Sequence, residues 1–217
     1  MMADVLFHAE VEHAHVLAIT ALKGRAGSSV VAAQLAALLA RSRRNVLLID
    51  ANFYEPSLNK LLGVSNEYGL AQRLEEVRLV EARAAVHVNG SISQGRSGNG
   101  GRGELPLSRY IQRTAIQNLD ILPSGKPTMN PSSLLSMPEM RQLLQWPDSH
   151  NNYFIVIDCP ALIHAEAHIL GSLSDQTFLV VDATKDRLKQ VVDAEEEVLN
   201  TGMKLSGLIV NKLGRWM

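Results

Sequence analysis

Short apolar runs alternate along this chain with longer segments in which apolar and polar residues recur at helical spacing. Six of the runs are compact and apolar on both faces: HVLAIT, NVLLID, LDILPSG, YFIVIDCP, TFLVVDAT and LSGLIVNK. Strands of this kind, separated by helices, are typical of a parallel sheet that is covered on both sides. The pattern therefore predicts a doubly wound α/β domain with a mostly parallel sheet of roughly seven strands.

Helical spacing is clearest in four segments, which run from about Ser28 to Arg41, Met137 to Gln145, Ala165 to Leu173 and Arg187 to Thr201. The first of them follows the first strand directly and is rich in Ala and Leu. We expect this helix to anchor the first strand–helix unit by burying four side chains against the sheet, those of Val30, Val31, Leu35 and Leu38.

The length of 217 residues suits one domain, expected over residues 1–217. The segment 88–106 departs from the alternating pattern, since six of the chain's 15 glycines lie between Gly90 and Gly103. Such glycine density disfavours helix and strand and predicts a flexible surface insertion. The alternative is an anion- or partner-binding loop that carries Arg96 and Arg102.

Composition narrows the class of protein only slightly. A net charge of -1 and a pI near 6.7 give no overall attraction to nucleic acid or anionic membranes. The single cysteine, Cys159, cannot form an internal disulfide, which suits a reducing compartment. No apolar run approaches the ~18 residues of a membrane span. We expect a cytoplasmic protein that reaches a membrane only through a partner.

The segment between the first strand and the first long helix has the features of a phosphate-binding loop. It reads Lys23-Gly24-Arg25-Ala26-Gly27-Ser28-Ser29. Glycines allow a sharp turn, and backbone N–H groups at a helix N-terminus attract phosphate. In the usual motif a lysine precedes the final hydroxyl residue, where it reaches the β and γ phosphates. Here Ser28 occupies that position, and Ser29 keeps the hydroxyl that holds Mg²⁺.

This loop resembles the Lys-Gly-Gly-x-Gly-Lys-Ser/Thr loop of the deviant Walker A ATPases. Three further segments resemble bacterial tyrosine kinases of the polysaccharide-export type: RNVLLIDANFYEPSLNKLLGVSNEYGLAQRL, NLDILPSGKPTMNPSSLLSMPEMRQLL and YFIVIDCPALIHAEA. The resemblance runs from about Val16 to Leu213 and implies a P-loop NTPase-like fold. It also implies ATP or ADP with Mg²⁺ as cofactor, held by Lys23, Gly24, Arg25, Gly27, Ser28, Ser29, Asp50, Asn52, Asp158 and Asn211, with Ser29, Asp50 and Asp158 on the metal.

Departures from the kinase pattern argue against catalysis. Ser28 replaces the lysine, Arg25 replaces a glycine, and Asn52 stands where the family has a second carboxylate. The tyrosine cluster on which these kinases autophosphorylate is not found, since the four tyrosines all lie within the expected domain. Unless Arg25 or Lys23 substitutes for the missing cation, we expect a pseudokinase without catalytic residues.

Three functions remain open on these grounds. The first is an adaptor that regulates exopolysaccharide, capsule or holdfast synthesis and export by docking on the cytoplasmic tails of a membrane chain-length regulator. The second is a weak nucleotide-binding ATPase or tyrosine kinase with a rearranged loop. The third is a positioning protein of the partition-ATPase type. The first is favoured, with homo-oligomers as an additional partner and no role for nucleic acid or direct membrane insertion.

Other residue types that carry chemistry give weaker signals. His164 and His168 are spaced as two metal ligands on one helix face would be, but no third ligand is evident, so solvent or interface histidines are favoured. Cys159 is expected to be a small packed side chain rather than a reactive thiol. Asn211 matches the position from which relatives of this fold contact adenine, although asparagine also commonly ends strands.

Overall fold

The computed structural model describes residues 14–88, 106–145 and 153–213. Within these ranges the strands are β1 (Val16–Ala21), β2 (Asn45–Asp50), β3 (Gln112–Arg113), β4 (Leu119–Leu122), β5 (Tyr153–Asp158), β6 (Gln176–Asp182) and β7 (Leu205–Asn211). The helices are α1 (Ser28–Arg41), α2 (Leu58–Leu62), α3 (Leu70–Val88), α4 (Pro131–Leu135), α5 (Pro138–Leu144), α6 (Ala165–Leu173) and α7 (Leu188–Asn200), with a short 3₁₀ turn at Leu107–Arg109.

The seven strands form one sheet in the order β3-β4-β2-β5-β1-β6-β7. Every neighbouring pair is parallel except β3 and β4, which are antiparallel. This arrangement confirms the predicted doubly wound, mostly parallel, P-loop NTPase-like fold. The strand β3 was not predicted, because two polar residues carry no apolar pattern.

Helices cover both faces of the sheet, as the apolar strands require. On one face α1 packs on alternate residues of the central strands, such as Leu17 and Ile19 of β1. On the other face, α3, α4, α5 and α6 pack against the residues in between, such as Ala18. Helix α7 lies on this second face, over Leu179 and Val181 of β6.

The bounds of α1 agree with the predicted helix, but its buried face is only partly as expected. Val31 and Leu35 are buried as predicted. Val30 is 43% exposed, and Leu38 is only partly buried, while Leu39 takes the inward position. The predicted burial of Val30 is wrong because the inward face follows the spacing 31, 35 and 39, whereas Val30 lies in the first turn beside a cleft.

The described residues bear only in part on two further expectations. The predicted glycine-rich insertion at 88–106 lies outside the described residues except for its two ends. In the described ranges, no helix has both the length and the apolarity needed to cross a bilayer. The expectation of a single domain over residues 1–217 stays a prediction.

Candidate phosphate-binding site

The loop between β1 and α1 forms a turn that ends at a helix N-terminus. Gly27 precedes α1 in the left-handed conformation, with φ of 92°. Arg25 is also left-handed, with φ of 66°, at the position where the kinase pattern has glycine. The first N–H groups of a helix have no acceptor within it, so Ser28 and Ser29 present donors to the cleft in front of the loop. This geometry is that of an anion-binding backbone cradle.

The end of β7 holds the cradle in place. The Asn211 side-chain amide donates to the Ala26 carbonyl at 2.9 Å, and the Lys212 ammonium donates to the Arg25 carbonyl at 2.5 Å. A Cβ atom on Gly27 would lie 2.5 Å from the Asn211 amide nitrogen, so glycine is required there by contact as well as by its φ. In the described contacts, Asn211 therefore supports the backbone of the loop.

Lys212 also donates to the Asp182 carboxylate at 2.7 Å. This bond is the main cause that holds the pKa of Asp182 below its ordinary value despite desolvation, and a hydrogen bond from the Thr184 hydroxyl is the second cause. Asp182 is therefore a charged anchor at the end of β6, to which Lys212 ties the phosphate loop. Neither residue was predicted from the sequence to belong to the site.

Two carboxylates, Asp50 and Asp158, lie beneath the cleft. They end the neighbouring strands β2 and β5 and are opposite each other in register. Both are fully buried. Asp50 accepts hydrogen bonds from the N–H groups of Asn52 at 3.2 Å and Leu58 at 3.3 Å. In the described part of the chain, neither carboxyl oxygen of Asp158 has a hydrogen-bonding partner.

Burial raises the pKa of Asp50 to about 7, although hydrogen bonds from backbone N–H groups oppose the shift. Burial, and then the neighbouring charge of Asp50, raise the pKa of Asp158 well above its ordinary value. The Ser29 hydroxyl is close enough to lower the Asp158 pKa, but its geometry falls short of a hydrogen bond. A buried carboxylate without a partner is costly unless a cation compensates it.

The three residues expected to hold Mg²⁺ fit that ion. Oxygen donors are the ligands that Mg²⁺ prefers, and it commonly takes one or two carboxylates and completes its shell with water and phosphate. Asp50, Asp158 and the Ser29 hydroxyl supply this kind of set at one end of the cradle. Among the described residues, no group of three or more His, Cys, Asp or Glu side chains could hold a metal by itself. A phosphate-bearing ligand would therefore complete this site.

The cleft in front of the loop has a volume of ≈ 560 Å³. Six of the predicted residues line it: Gly24, Arg25, Gly27, Ser28, Ser29 and Asn52. Two charged side chains that the motif analysis did not single out, Glu55 and Lys60, line it as well. Lys60 lies in α2, far along the chain from the loop, and no motif pointed to it. Arg25 and Lys60 are the two cationic side chains among the lining residues.

The cations of the loop itself are engaged by the protein. The Lys23 ammonium donates to the Gln190 side chain at 2.9 Å and lies 3.8 Å from the Asp186 carboxylate, both at the start of α7. The Arg25 guanidinium lies 3.6 Å from the Glu55 carboxylate. Ser28 adds no charge at the lysine position. The structure thus brings the predicted backbone and carboxylate groups together but directs Lys23 elsewhere.

Asn52, which replaces the second carboxylate of the kinase pattern, takes part in a local turn. Its side-chain oxygen accepts a hydrogen bond from the Glu55 N–H at 3.2 Å. Asparagine commonly stabilises turns in this way. The residue lines the cleft, and its uncharged amide adds no negative charge beside Asp50 and Asp158.

Beside the main cleft, Tyr54 and His164 stack with ring centroids 3.9 Å apart. The Tyr54 hydroxyl donates to the buried Glu166 at 3.0 Å, and the Ser132 hydroxyl donates to the same carboxylate. Burial tends to raise the pKa of Glu166, but the bonds from Ser132 and Tyr54 outweigh it and lower that pKa. This cluster fixes the segment that follows β2 against α6.

His164 and His168 do not point to a common site. His164 stacks on Tyr54, whereas the Nε2 atom of His168 lies 3.0 Å from the Leu162 carbonyl and 3.5 Å from Glu197 of α7. Cys159 is buried, and burial followed by the charge of Asp158 raises its thiol pKa. A packed, protonated thiol agrees with the expectation for Cys159.

Comparison with known proteins confirms the resemblance to bacterial tyrosine kinases. The tyrosine-protein kinase etk of Escherichia coli (strain K12) is 28% identical over 197 residues, which are 91% of this chain and 23% of that protein. The chain thus spans about a quarter of the length of this relative. A family model described as ParA, NUBPL iron-transfer P-loop NTPase, matches residues 12–89.

Solved structures give the same picture. The kinase domain of Escherichia coli tyrosine kinase ETK superposes with a TM-score of 0.78 at 26% identity, covering 98% of this chain and 72% of that domain. The septum site-determining protein MinD complexed with Mg-ADP, from Pyrococcus horikoshii OT3, superposes with a TM-score of 0.66 at 21% identity, covering 93% of this chain and 71% of that one. The second likeness shows the shared fold alone.

Proposed function

We propose that this chain is a catalytically impaired counterpart of a bacterial tyrosine kinase that acts as a regulatory adaptor. In this role it docks on the cytoplasmic tails of a membrane chain-length regulator and controls synthesis or export of an exopolysaccharide, capsule or holdfast. The observation that carries the proposal is that the cleft keeps one part of the catalytic pattern and lacks another. The carboxylates expected to hold Mg²⁺ are in place, but the loop has serine at the lysine position, and its cations Lys23 and Arg25 lie beside acidic side chains.

Phosphoryl transfer depends on positioning and on neutralising the charge that develops on the phosphate oxygens. Ser28 supplies no charge, Lys23 is engaged by Gln190 and Asp186, and Asn52 is engaged by the Glu55 backbone. Loss of one electrostatic donor costs on the order of 10²–10³ in rate. Two such losses leave negligible turnover, which suits a protein that acts by binding.

The cleft still has the groups for weak binding of a nucleoside di- or triphosphate with Mg²⁺. Backbone N–H groups of Ser28 and Ser29 face the phosphates, and Arg25 and Lys60 are the nearest cations. Asp50, Asp158 and Ser29 would hold Mg²⁺, which when bound neutralises phosphate charge. We expect Mg²⁺-ADP to bind weakly, because no lysine of the loop reaches the phosphates.

The intact carboxylate pair favours a second candidate function. An ATPase or tyrosine kinase in which Arg25 or Lys60 replaces the missing lysine would need Asp50 and Asp158 as they stand. A partition-type positioning protein would need them too. Under either alternative, the carboxylate that ends β5 is indispensable to the biological role, whereas an adaptor tolerates its neutralisation.

Complementation in the source organism separates these functions. Deletion of the gene should change the amount or chain length of the exported polysaccharide. The near-isosteric variant Asp158→Asn should restore the wild-type polymer, and the surface variant Glu67→Gln serves as the matched control because Glu67 is exposed and lies outside both the cleft and α7. An Asp158→Asn strain that behaves like the deletion, while its protein level is normal, would show that the cleft has an enzymatic role.

A further inference from the structure

One edge of the sheet is open in the described part of the chain. Strand β7 is the last in the sheet order and pairs there with β6 alone. Its seven residues, LSGLIVN, contain no charge and no proline. The strand at the opposite edge, β3, is only two residues long. Charges, prolines and short length normally protect sheet edges from pairing with other chains, and β7 lacks all three.

Helix α7 carries an exposed apolar stripe along this edge. Positions 188, 192, 195 and 199 fall on one line of an α-helix because their spacing is four, three and four. Leu188 is 80% exposed, Val192 45% and Leu199 66%. On the opposite flank of the helix, Glu197 faces His168 of α6. The stripe therefore faces away from α6 and towards the β7 edge.

Leu208 of β7 continues the stripe onto the strand. It is opposite Leu179 of β6 in register, and Leu179 packs under α7, so both side chains lie on the α7 face of the sheet. Leu208 is nevertheless 43% exposed, because the helix does not reach over the outer edge of β7. We call Leu188, Val192, Glu195, Leu199 and Leu208 the α7–β7 ledge, a surface roughly 20 Å long.

We propose that the α7–β7 ledge binds a basic, extended segment of a partner protein. The segment adds a strand beside β7, so that its backbone pairs with the free N–H and C=O groups. The side chains on the α7 face of the added strand are aliphatic where they rest on the three aliphatic residues of the stripe, and Lys or Arg where they reach the acidic groups of α7. This is recognition by strand addition, in which the backbone supplies affinity and alternate side chains supply specificity.

Charge decides between a basic segment and a second copy of this chain. Glu195 lies within the stripe, and Asp193 and Glu196 are exposed beside it, whereas Lys189 is the one basic residue of α7. The exposed Arg187 and Lys204 precede α7 and β7, outside this acidic stretch. Two copies paired through β7 about a twofold axis would bring their acidic helices together, which is unfavourable. A partner rich in Lys or Arg meets the opposite charge.

Basic segments flank membrane spans on the cytoplasmic side. The identification of the partner as a membrane protein rests on the proposed function. Binding of a basic peptide at the ledge does not depend on that function. The complementation described above therefore tests the function, and peptide binding tests the ledge.

The test uses the full chain and a capped Lys–Val peptide that is long enough to pair with β7 and is titrated by NMR or calorimetry. Val and Lys take turns at every second position of this peptide, on the face towards α7, and Ser fills the positions between them. The peptide should bind with a dissociation constant on the order of 10⁻⁴ M. The double variant Leu188→Ser, Leu199→Ser should weaken binding about tenfold, and Glu195→Lys several-fold. The matched control Leu79→Ser, an exposed leucine of α3, should leave binding unchanged.

Three results would overturn the inference. Equal binding of a Glu–Val peptide would remove the charge argument. Equal binding of a Lys–Val peptide interrupted by proline, which cannot pair as a strand, would remove the edge-pairing argument. Self-association of the unmodified chain that is lost in the Leu188→Ser, Leu199→Ser variant would assign the ledge to a second copy instead.

Discussion

The cleft has a carboxylate half and a cation half, and different parts of the protein position the two. The carboxylates Asp50 and Asp158 end adjacent buried strands, so the register of the sheet sets their positions. The cations Lys23 and Arg25 extend from a surface loop, and each lies beside an acidic side chain of the same protein. Lys23 is directed to the start of α7 and Arg25 lies beside Glu55, whereas the sheet fixes the carboxylate half that we propose to hold a metal.

Under the proposed function, this difference indicates how such a site loses catalysis while the fold persists. Loop side chains can change without affecting the core, because the backbone cradle depends on Gly27 and on the hydrogen bonds from Asn211 and Lys212. The carboxylate pair is different, since two buried acids without a cation destabilise the fold. Their presence is explained most simply by a divalent cation, which offsets that destabilisation.

The largest effect should come from neutralising the carboxylate half. In Asp158→Asn the buried charge is gone, and without metal we expect the free energy of unfolding to rise by about 1–3 kcal/mol. The same variant should lose any stabilisation by millimolar Mg²⁺. Urea unfolding with and without Mg²⁺ measures both effects, with Asp193→Asn as the control. An Asp158→Asn protein that is less stable, or that still responds to Mg²⁺, would contradict a metal site here.

Restoring the missing charges of the cleft should raise its affinity for nucleotide. The double variant Ser28→Lys, Asn52→Asp should raise affinity for Mg²⁺-ADP about tenfold or more, because a cation and a carboxylate return to an intact cradle. Ser28→Lys alone should change stability by less than about 1 kcal/mol, as expected away from the core. Calorimetric titration checks the affinity, and Ser172→Lys controls for added charge. An unchanged affinity would mean that the cradle itself is lost.

The pH dependence of metal stabilisation should follow Asp50. Its pKa is raised to about 7 in the folded protein, so the stability that its protonated form contributes is complete below about pH 4 and lost as the pH rises through about 7. Mg²⁺ competes with the proton and should stabilise the protein more at about pH 8 than at about pH 6. Thermal unfolding across this range, repeated on Asp50→Asn, provides the measurement. A Mg²⁺ effect that is flat with pH would contradict the raised pKa.

The smallest effect is expected at Arg25. A non-glycine residue with φ of 66° is strained, and its ion pair with Glu55 is too exposed to compensate. Arg25→Gly should stabilise the protein by about 0.5–1 kcal/mol, whereas Arg25→Ala, which keeps the strain, should not. Urea unfolding of the two variants compares them directly. Equal stability of both would show that the loop is not strained.

Most of the fold could be predicted because buried parallel strands are apolar throughout, as in NVLLID and YFIVID. Strand β3 could not, since Gln112 and Arg113 pair only because β4 offers a free edge. The position of Val30 was misjudged because helical spacing alone does not tell which first-turn residue faces a cleft.

The candidate site was predictable where sequence position determines geometry. Asp50 and Asp158 end apolar strands, and Gly27 precedes a helix, so their places follow from local pattern. The direction of Lys23 depends on Gln190 and Asp186, which lie more than 160 residues further along the chain. Lys60 enters the cleft from α2, and no pattern signals that approach.

Under the proposed function, the cleft binds nucleotide without transferring its phosphate. The direct test incubates the purified chain, produced in cells without other tyrosine kinases, with Mg²⁺-ATP and measures ADP formation together with phosphotyrosine on the protein. We predict that neither rises above the level of the Asp158→Asn variant. Phosphotyrosine or ADP that forms on the unmodified chain and disappears in Asp158→Asn would contradict the account and identify a working kinase or ATPase.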